Sequence, residues 1–215
     1  MNNGLEKIIL IGGGGHCRVI IEAVKKRRQY AIEGIIDPNL DTGEKISGVP
    51  VIGNDDSLKE IYISGVRNAF IAVGSIGDCS LRLRLYKQIK ETGFSLPVIM
   101  HPSAVVAEDC VIEEGVFIAA GAVINPGTSI GKCAIINTSA SVDHDCRIGD
   151  FAHIAPKAAL NGAVTIKKYT HIGSGTVVNQ QITIGENCLI GSGSVVVKDI
   201  QDNSKALGNP CRIRE

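Results

Sequence analysis

An excess of charge of either sign is missing from this chain. Its 215 residues carry 22 Lys and Arg against 22 Asp and Glu, so no net basic field draws it to nucleic acid or to an anionic membrane. The expected partner is a small molecule. Long apolar runs are missing too: none approaches the roughly 18 residues of a membrane span, and the N-terminal MNNGLEKIILIGGGGH has no positively charged segment ahead of its short apolar run. These absences predict a cytoplasmic protein with no membrane contact. The seven cysteines contain no CxxC pair and no even framework, which speaks against disulfides and structural zinc and leaves reduced thiols packed as small apolar residues. What remains, at 44% hydrophobic and 20% charged, is a globular protein of one large or two ordinary domains.

Residues 1–102 alternate β-branched runs with helical spacing. KIILIG (7–12), IEGIID (32–37), NAFIAVG (68–74) and SLPVIM (95–100) read as strands, and HCRVIIEAVKKRR (16–28) and DCSLRLRLYKQIKETG (78–93) as helices. The alternation predicts an α/β domain with a small parallel sheet of βαβ units.

Residues 103–215 follow a period of six. Stepping by six from Val106 meets an aliphatic side chain at all 16 positions to Val196. The residue two places earlier is mostly small (Ala104, Cys110, Ala122, Thr128, Ala134), so large and small side chains alternate on one inward face. The residue just after the aliphatic is Gly, Asn or Asp in 10 of the 16 hexads, which predicts a left-handed backbone at that place and a corner in every hexad. Three hexads per coil make a triangular prism of about five coils.

In this frame His144, two places after Val142, falls in a corner, while His153, just before Ile154, points outward from a flat face. Nine residues are half of an 18-residue coil, so the two histidines belong to different sides of one prism. Parallel prisms around a threefold axis would bring a corner of one subunit to a face of the next. One coil on from His144 is Gly162, which leaves room and a backbone N–H beside the imidazole. Acyl transfer suits this set: His144 takes a proton from an attacking amine or hydroxyl, a neighbouring carboxylate raises its basicity, and His153 or the Gly162 N–H faces the oxyanion. The same residues also read as ordinary ones, since a corner histidine is equally a turn residue and His171 repeats the outward position of His153. Two further readings compete with acyl transfer: a β-helix zinc enzyme built on His144, His153 and His171, and a scaffold that only trimerises.

IGGGGH (11–16) follows a strand and opens a helix, a setting that binds phosphate. Against the dinucleotide fingerprint it offers Gly12 and Gly14, then Cys17 in place of the third glycine, so the match is partial. Asp37 ends the second strand where it can reach a ribose hydroxyl, although Asp37-Pro38-Asn39 is also a plain turn. VGSIGD (73–78) brings Gly74 to the same sheet edge, ahead of the helix that carries Arg82.

The IGGGGH loop, the six-residue repeat and NTSASVDHDCRIGDFAHIAP (137–156) resemble the bacterial sugar acetyltransferases related to sialic acid O-acetyltransferases and to UDP-4-amino-sugar N-acetyltransferases of bacillosamine-type pathways. The resemblance runs from Lys7 to Arg212. It implies a left-handed β-helix, a homotrimer, acetyl-CoA as co-substrate, no metal, and a nucleotide-linked amino-sugar as acceptor. The activity it implies is N-acetylation of a nucleotide-linked 4-amino-4,6-dideoxysugar, with O-acetylation of sialic acid or another sugar as the alternative. The family's base and its acidic partner fall on His144 and Asp145. Its coenzyme contacts fall on His153, Gly162, Ser174 and Ser192, with LGNPCRIR (207–214) near the adenine end. Its nucleotide-sugar contacts fall on Gly14, Gly15, His16, Asp37, Pro38, Gly74, Arg82 and Asn137.

Overall fold

The computed structural model describes residues 4–214; the first three residues of the N-terminal stretch lie outside the described residues. Two compact units divide the chain, one of Met1–Gly74 with Ser80–Pro102 and one of Ser75–Cys79 with Ser103–Glu215.

The first unit contains strands β1 (Glu6–Ile11), β2 (Tyr30–Ile36), β3 (Lys45–Ile46), β4 (Val49–Gly53) and β5 (Asn68–Ile71), with helices α1 (Gly15–Arg27), α2 (Leu58–Ile63) and α3 (Ser80–Thr92). Sheet order is β3-β4-β2-β1-β5. The last four strands in this order are parallel, and Ile8–Ile11 in β1 are buried on both faces, as continuous apolar runs in a parallel sheet require. Helix α1 buries Cys17, Ile20, Ile21 and Val24 along one side and stops where Arg28 takes a left-handed φ of 54°. Three features depart from the sequence expectation. β3 is antiparallel to β4, turning through Ser47 and Gly48, both at positive φ. α2 has no counterpart in the sequence pattern. SLPVIM forms a strand only at Ile99–Met100.

The second unit is a left-handed parallel β-helix whose residues pair with those 18 places on: Val123 with Val105 and Ser141, Ser129 with Val111 and Arg147, Ile135 with Phe117 and His153. Inward aliphatics from Ile118 to Val196 are 3% exposed or less. Small polar residues inside donate to corner carbonyls, Thr128 Oγ1 to Asp143 O at 3.0 Å and Thr170 Oγ1 to Gly185 O at 2.6 Å, so the interior leaves those groups satisfied.

The corner is displaced from its expected place. Positive φ occurs three residues after the aliphatic, at every sixth position from Gly115 to Gly193, and includes Asp145, Phe151 and Tyr169. The glycines directly after the aliphatics serve a different need. A Cβ on Gly149 would lie 2.4 Å from Lys168 N, and one on Gly173 would lie 2.5 Å from Ser192 N. Close stacking of successive coils, not backbone handedness, excludes side chains there.

Candidate active site

His144 and Asp145 are the central residues of one such corner. The corner is fixed from below: Asp143 Oδ1 accepts the His144 N–H at 2.8 Å and Asn125 Nδ2 at 2.8 Å. At its tip, His144 Nδ1 lies 2.8 Å from Asp145 Oδ2. A carboxylate only accepts, so the proton sits on Nδ1 and Nε2 presents a lone pair. The hydrogen bond to Asp145, then the charge of Asp143, push the ring above the ordinary histidine range. Side chains of both residues are exposed, 59% and 68%, so the base is open to a substrate.

Two glycines make space for this pair. A Cβ on Gly162, one coil on, would meet His144 Nε2 at 2.6 Å, and one on Gly127, one coil back, would meet Asp145 Oδ1 at 2.6 Å. The sequence reading contains Gly162 but misses Asn125, Asp143 and Gly127. A signal for them exists, because Asn125 and Gly127 stand 18 residues before Asp143 and Asp145.

His153 lies on the face opposite that corner of the prism. It occupies the expected outward position yet is only 8% exposed. Its Nδ1 donates to Ser75 O at 2.8 Å, and Asn137 Nδ2 donates to its Nε2 at 3.0 Å. Both ring nitrogens of the histidine are thus bonded by its own chain, and Asn137, placed by resemblance near the sugar, is one of the partners. His171 meets the ring edge-on, centroids 4.8 Å apart, with burial lowering its own pKa. Ser174 and Ser192 occupy the exposed corner that follows this face, a different corner from that of His144 and Gly162. One chain thus brings His144 to Gly162 and His153 to Asn137, and keeps the two groups apart. Among the described residues no three His, Cys, Asp or Glu side chains are placed to hold a metal ion.

In the first unit, Gly14 is the N-cap of α1, with no side-chain cap and no acidic residue in the first turn. Nothing lies within 4 Å of where side chains on Gly14 or Gly15 would stand, so the helix N-terminus is open to an anion. Gly12 and Gly13 are instead closed against Val73 and Leu40. Asp37 Oδ2 accepts the Gly13 N–H at 2.7 Å and Oδ1 the Asn39 N–H at 2.9 Å, so the carboxylate shapes the loop and Pro38 sits inside that turn. His16 packs against Gly74, and burial together with the charge of Arg82 pushes it down to about 4. Arg82 itself is 2% exposed, an interior residue in this structure. Cys17, at the third fingerprint position, is fully buried, and burial pushes its thiol up to about 12. No described helix is long and apolar enough to cross a membrane.

Comparison with known proteins gives the chain's relatives. Residues 7–89 match the PglD N-terminal domain family and residues 163–198 the bacterial transferase hexapeptide (six repeats) family. The chain is 34% identical over 161 residues to GDP-perosamine N-acetyltransferase of Escherichia coli O157:H7, covering 72% of this chain and 70% of that one. Among solved structures it is similar to PerB from Caulobacter crescentus in complex with CoA and GDP-perosamine, with 38% identity, TM-score 0.91 and 99% of each chain covered. It is also similar to the acetyltransferase domain of PglB from Neisseria gonorrhoeae in complex with acetyl coenzyme A, with 34% identity, TM-score 0.90, and 98% and 100% covered.

Proposed function

Because the chain belongs to the bacterial sugar N-acetyltransferases that join a PglD-type N-terminal domain to hexapeptide repeats, we propose that His144 is the base in its reaction. The enzyme transfers the acetyl group of acetyl-CoA directly to the 4-amino group of a nucleotide-linked 4-amino-4,6-dideoxysugar. The observation that carries the assignment is His144 Nδ1 on Asp145 Oδ2 with Nε2 turned toward Gly162. The amine lone pair attacks the thioester carbonyl, a C–N bond forms, and the carbonyl oxygen becomes an oxyanion. His144 Nε2 takes one proton from the nitrogen, the C–S bond breaks, and that proton leaves with CoA as the thiol. Asp145 holds the ring and stabilises its charged form. Gly14, Gly15 and Asp37 hold the nucleotide.

Coenzyme contacts at His153, Gly162, Ser174 and Ser192 lie on separate sides of one prism, so a single coenzyme reaches all four only between two subunits. A homotrimer provides this, and an apolar outward column suits it: Val105, Val123, Ala159, Val177 and Val195 share one face, interrupted by Ser141. Sedimentation equilibrium should give three times the chain mass, and Val177→Asp should lower it. All seven cysteines are free, which fits a reducing cytoplasm.

Incubating the protein with acetyl-CoA and nucleotide-linked 4-amino-sugars tests the assignment. Thiol release should match formation of an amide. An acetyl ester on a sugar hydroxyl would instead make the chain an O-acetyltransferase.

A further inference from the structure

We infer that the first unit reads guanine, through Asp55 and Arg84. The inference rests on the nucleotide-sugar reading above and adds the identity of the base. A cavity of about 130 Å³ opens at the carboxyl ends of β1 and β2, the crevice where open α/β sheets bind nucleotides. Its walls are partly apolar, with Pro38, Leu81 and Leu85 among them, and its charged lining groups are Asp37, Asp55 and Arg84.

A nucleoside diphosphate presents phosphates, ribose and base in fixed order, and the unit offers matching groups in series. Gly14 and Gly15 stand open at the N-terminus of α1. Gly13 N–H bonds Asp37, and Asp37 N–H bonds Gly53 O at 3.1 Å, two residues before Asp55. The Asp37 carboxylate accepts one backbone N–H on each oxygen, from Gly13 and Asn39, and keeps further lone pairs for a ligand. The carboxylate of Asp55 and the guanidinium of Arg84 have no hydrogen-bond or ion-pair partner among the described residues. Asp55 is bonded through its backbone carbonyl instead, which accepts from the Leu58 N–H and from Gln88 Nε2 at 3.3 Å.

The pair is selective by chemistry. A carboxylate only accepts and a guanidinium only donates. Guanine alone offers two adjacent donors, N1–H and the 2-amino group, to the first, and two adjacent acceptors, O6 and N7, to the second. Uracil and thymine have a single N–H flanked by carbonyl oxygens, which a carboxylate repels. Adenine and cytosine set a ring acceptor beside their amino group.

Calorimetric titration of the full-length protein with GDP, UDP, dTDP and xanthosine diphosphate tests this. Wild-type protein should bind GDP at least roughly tenfold more tightly than UDP or dTDP. Asp55→Asn should lose at least roughly tenfold for GDP and gain for xanthosine diphosphate, whose C2 carbonyl accepts from the new amide. Arg84→Ala should weaken both purine nucleotides. A wild-type preference for UDP or dTDP, an Asp55→Asn variant that binds GDP normally, or one that weakens every base equally, would overturn the guanine assignment and leave the nucleotide-sugar reading intact. Failure of all four ligands to bind would overturn both.

Discussion

His144 and Asp145 are consecutive residues whose side chains meet, Nδ1 to Oδ2 at 2.8 Å. On a strand neighbours point to opposite faces; here the left-handed backbone of Asp145, φ 57°, turns the chain at the corner so that they converge. An aspartate tolerates that conformation better than most residues, and its short side chain places the carboxylate on the ring without further support.

The pH profile should report this contact. His144 must be neutral to accept a proton, and both carboxylates raise its pKa, so the acid limb of kcat/KM should lie above the ordinary histidine value of about 6.5. Asp145→Asn removes the larger cause. Its acid limb should move to lower pH while the plateau rate falls, because the base is weaker and its tautomer less fixed. A limb that stays in place would remove Asp145 from this role.

Gly162→Ala and Gly149→Ala should fail in different ways. The new methyl at 162 meets a movable imidazole, so the protein should keep its circular dichroism and assembly while kcat drops by about tenfold or more. At 149 it meets the backbone of the next coil at 2.4 Å, so expression and melting temperature should suffer first. Equal behaviour of the two variants would show that Gly162 gives no space specific to His144.

Asn137→Ala leaves the buried Nε2 of His153 without its donor. A loss of about 1–3 kcal/mol is expected from the unmet group, read from denaturant midpoints at fixed protein concentration. An unchanged midpoint would mean the His153 network adds no stability.

Acid should destabilise the fold before carboxylates titrate. The unfolded chain protonates His16 near 6.5 and the folded chain only near 4. The unfolded state therefore binds more protons in that window, and stability falls as pH drops through it, by about 3 kcal/mol at most. His171, also depressed by burial, acts with the same sign. A His16→Gln variant should show a flatter dependence of melting temperature on pH between 6.5 and 4.

The β-helix is legible in the sequence because every face demands an aliphatic side chain at the same place in each hexad. The place where the corner turns is not, since Gly and Asn after the aliphatic look like signals of positive φ. For the glycines the cause is contact between coils, visible only in the 18-residue register. That register also gives Asn125 and Gly127, the unforeseen supports of the base. Burial of His153 leaves no trace in the pattern, because its cover is Ser75, 78 residues away and outside any repeat. In the first unit the long apolar strands β1 and β2 announce themselves. The two-residue β3 has no periodicity to detect, although Ser47-Gly48 is a turn signal.

The most direct test is the turnover of His144→Ala with acetyl-CoA and a nucleotide-linked 4-amino-sugar. With His144 as the base, kcat should be lower by about 10²-fold or more, with assembly and nucleotide binding retained. Turnover near that of the wild-type enzyme would contradict it.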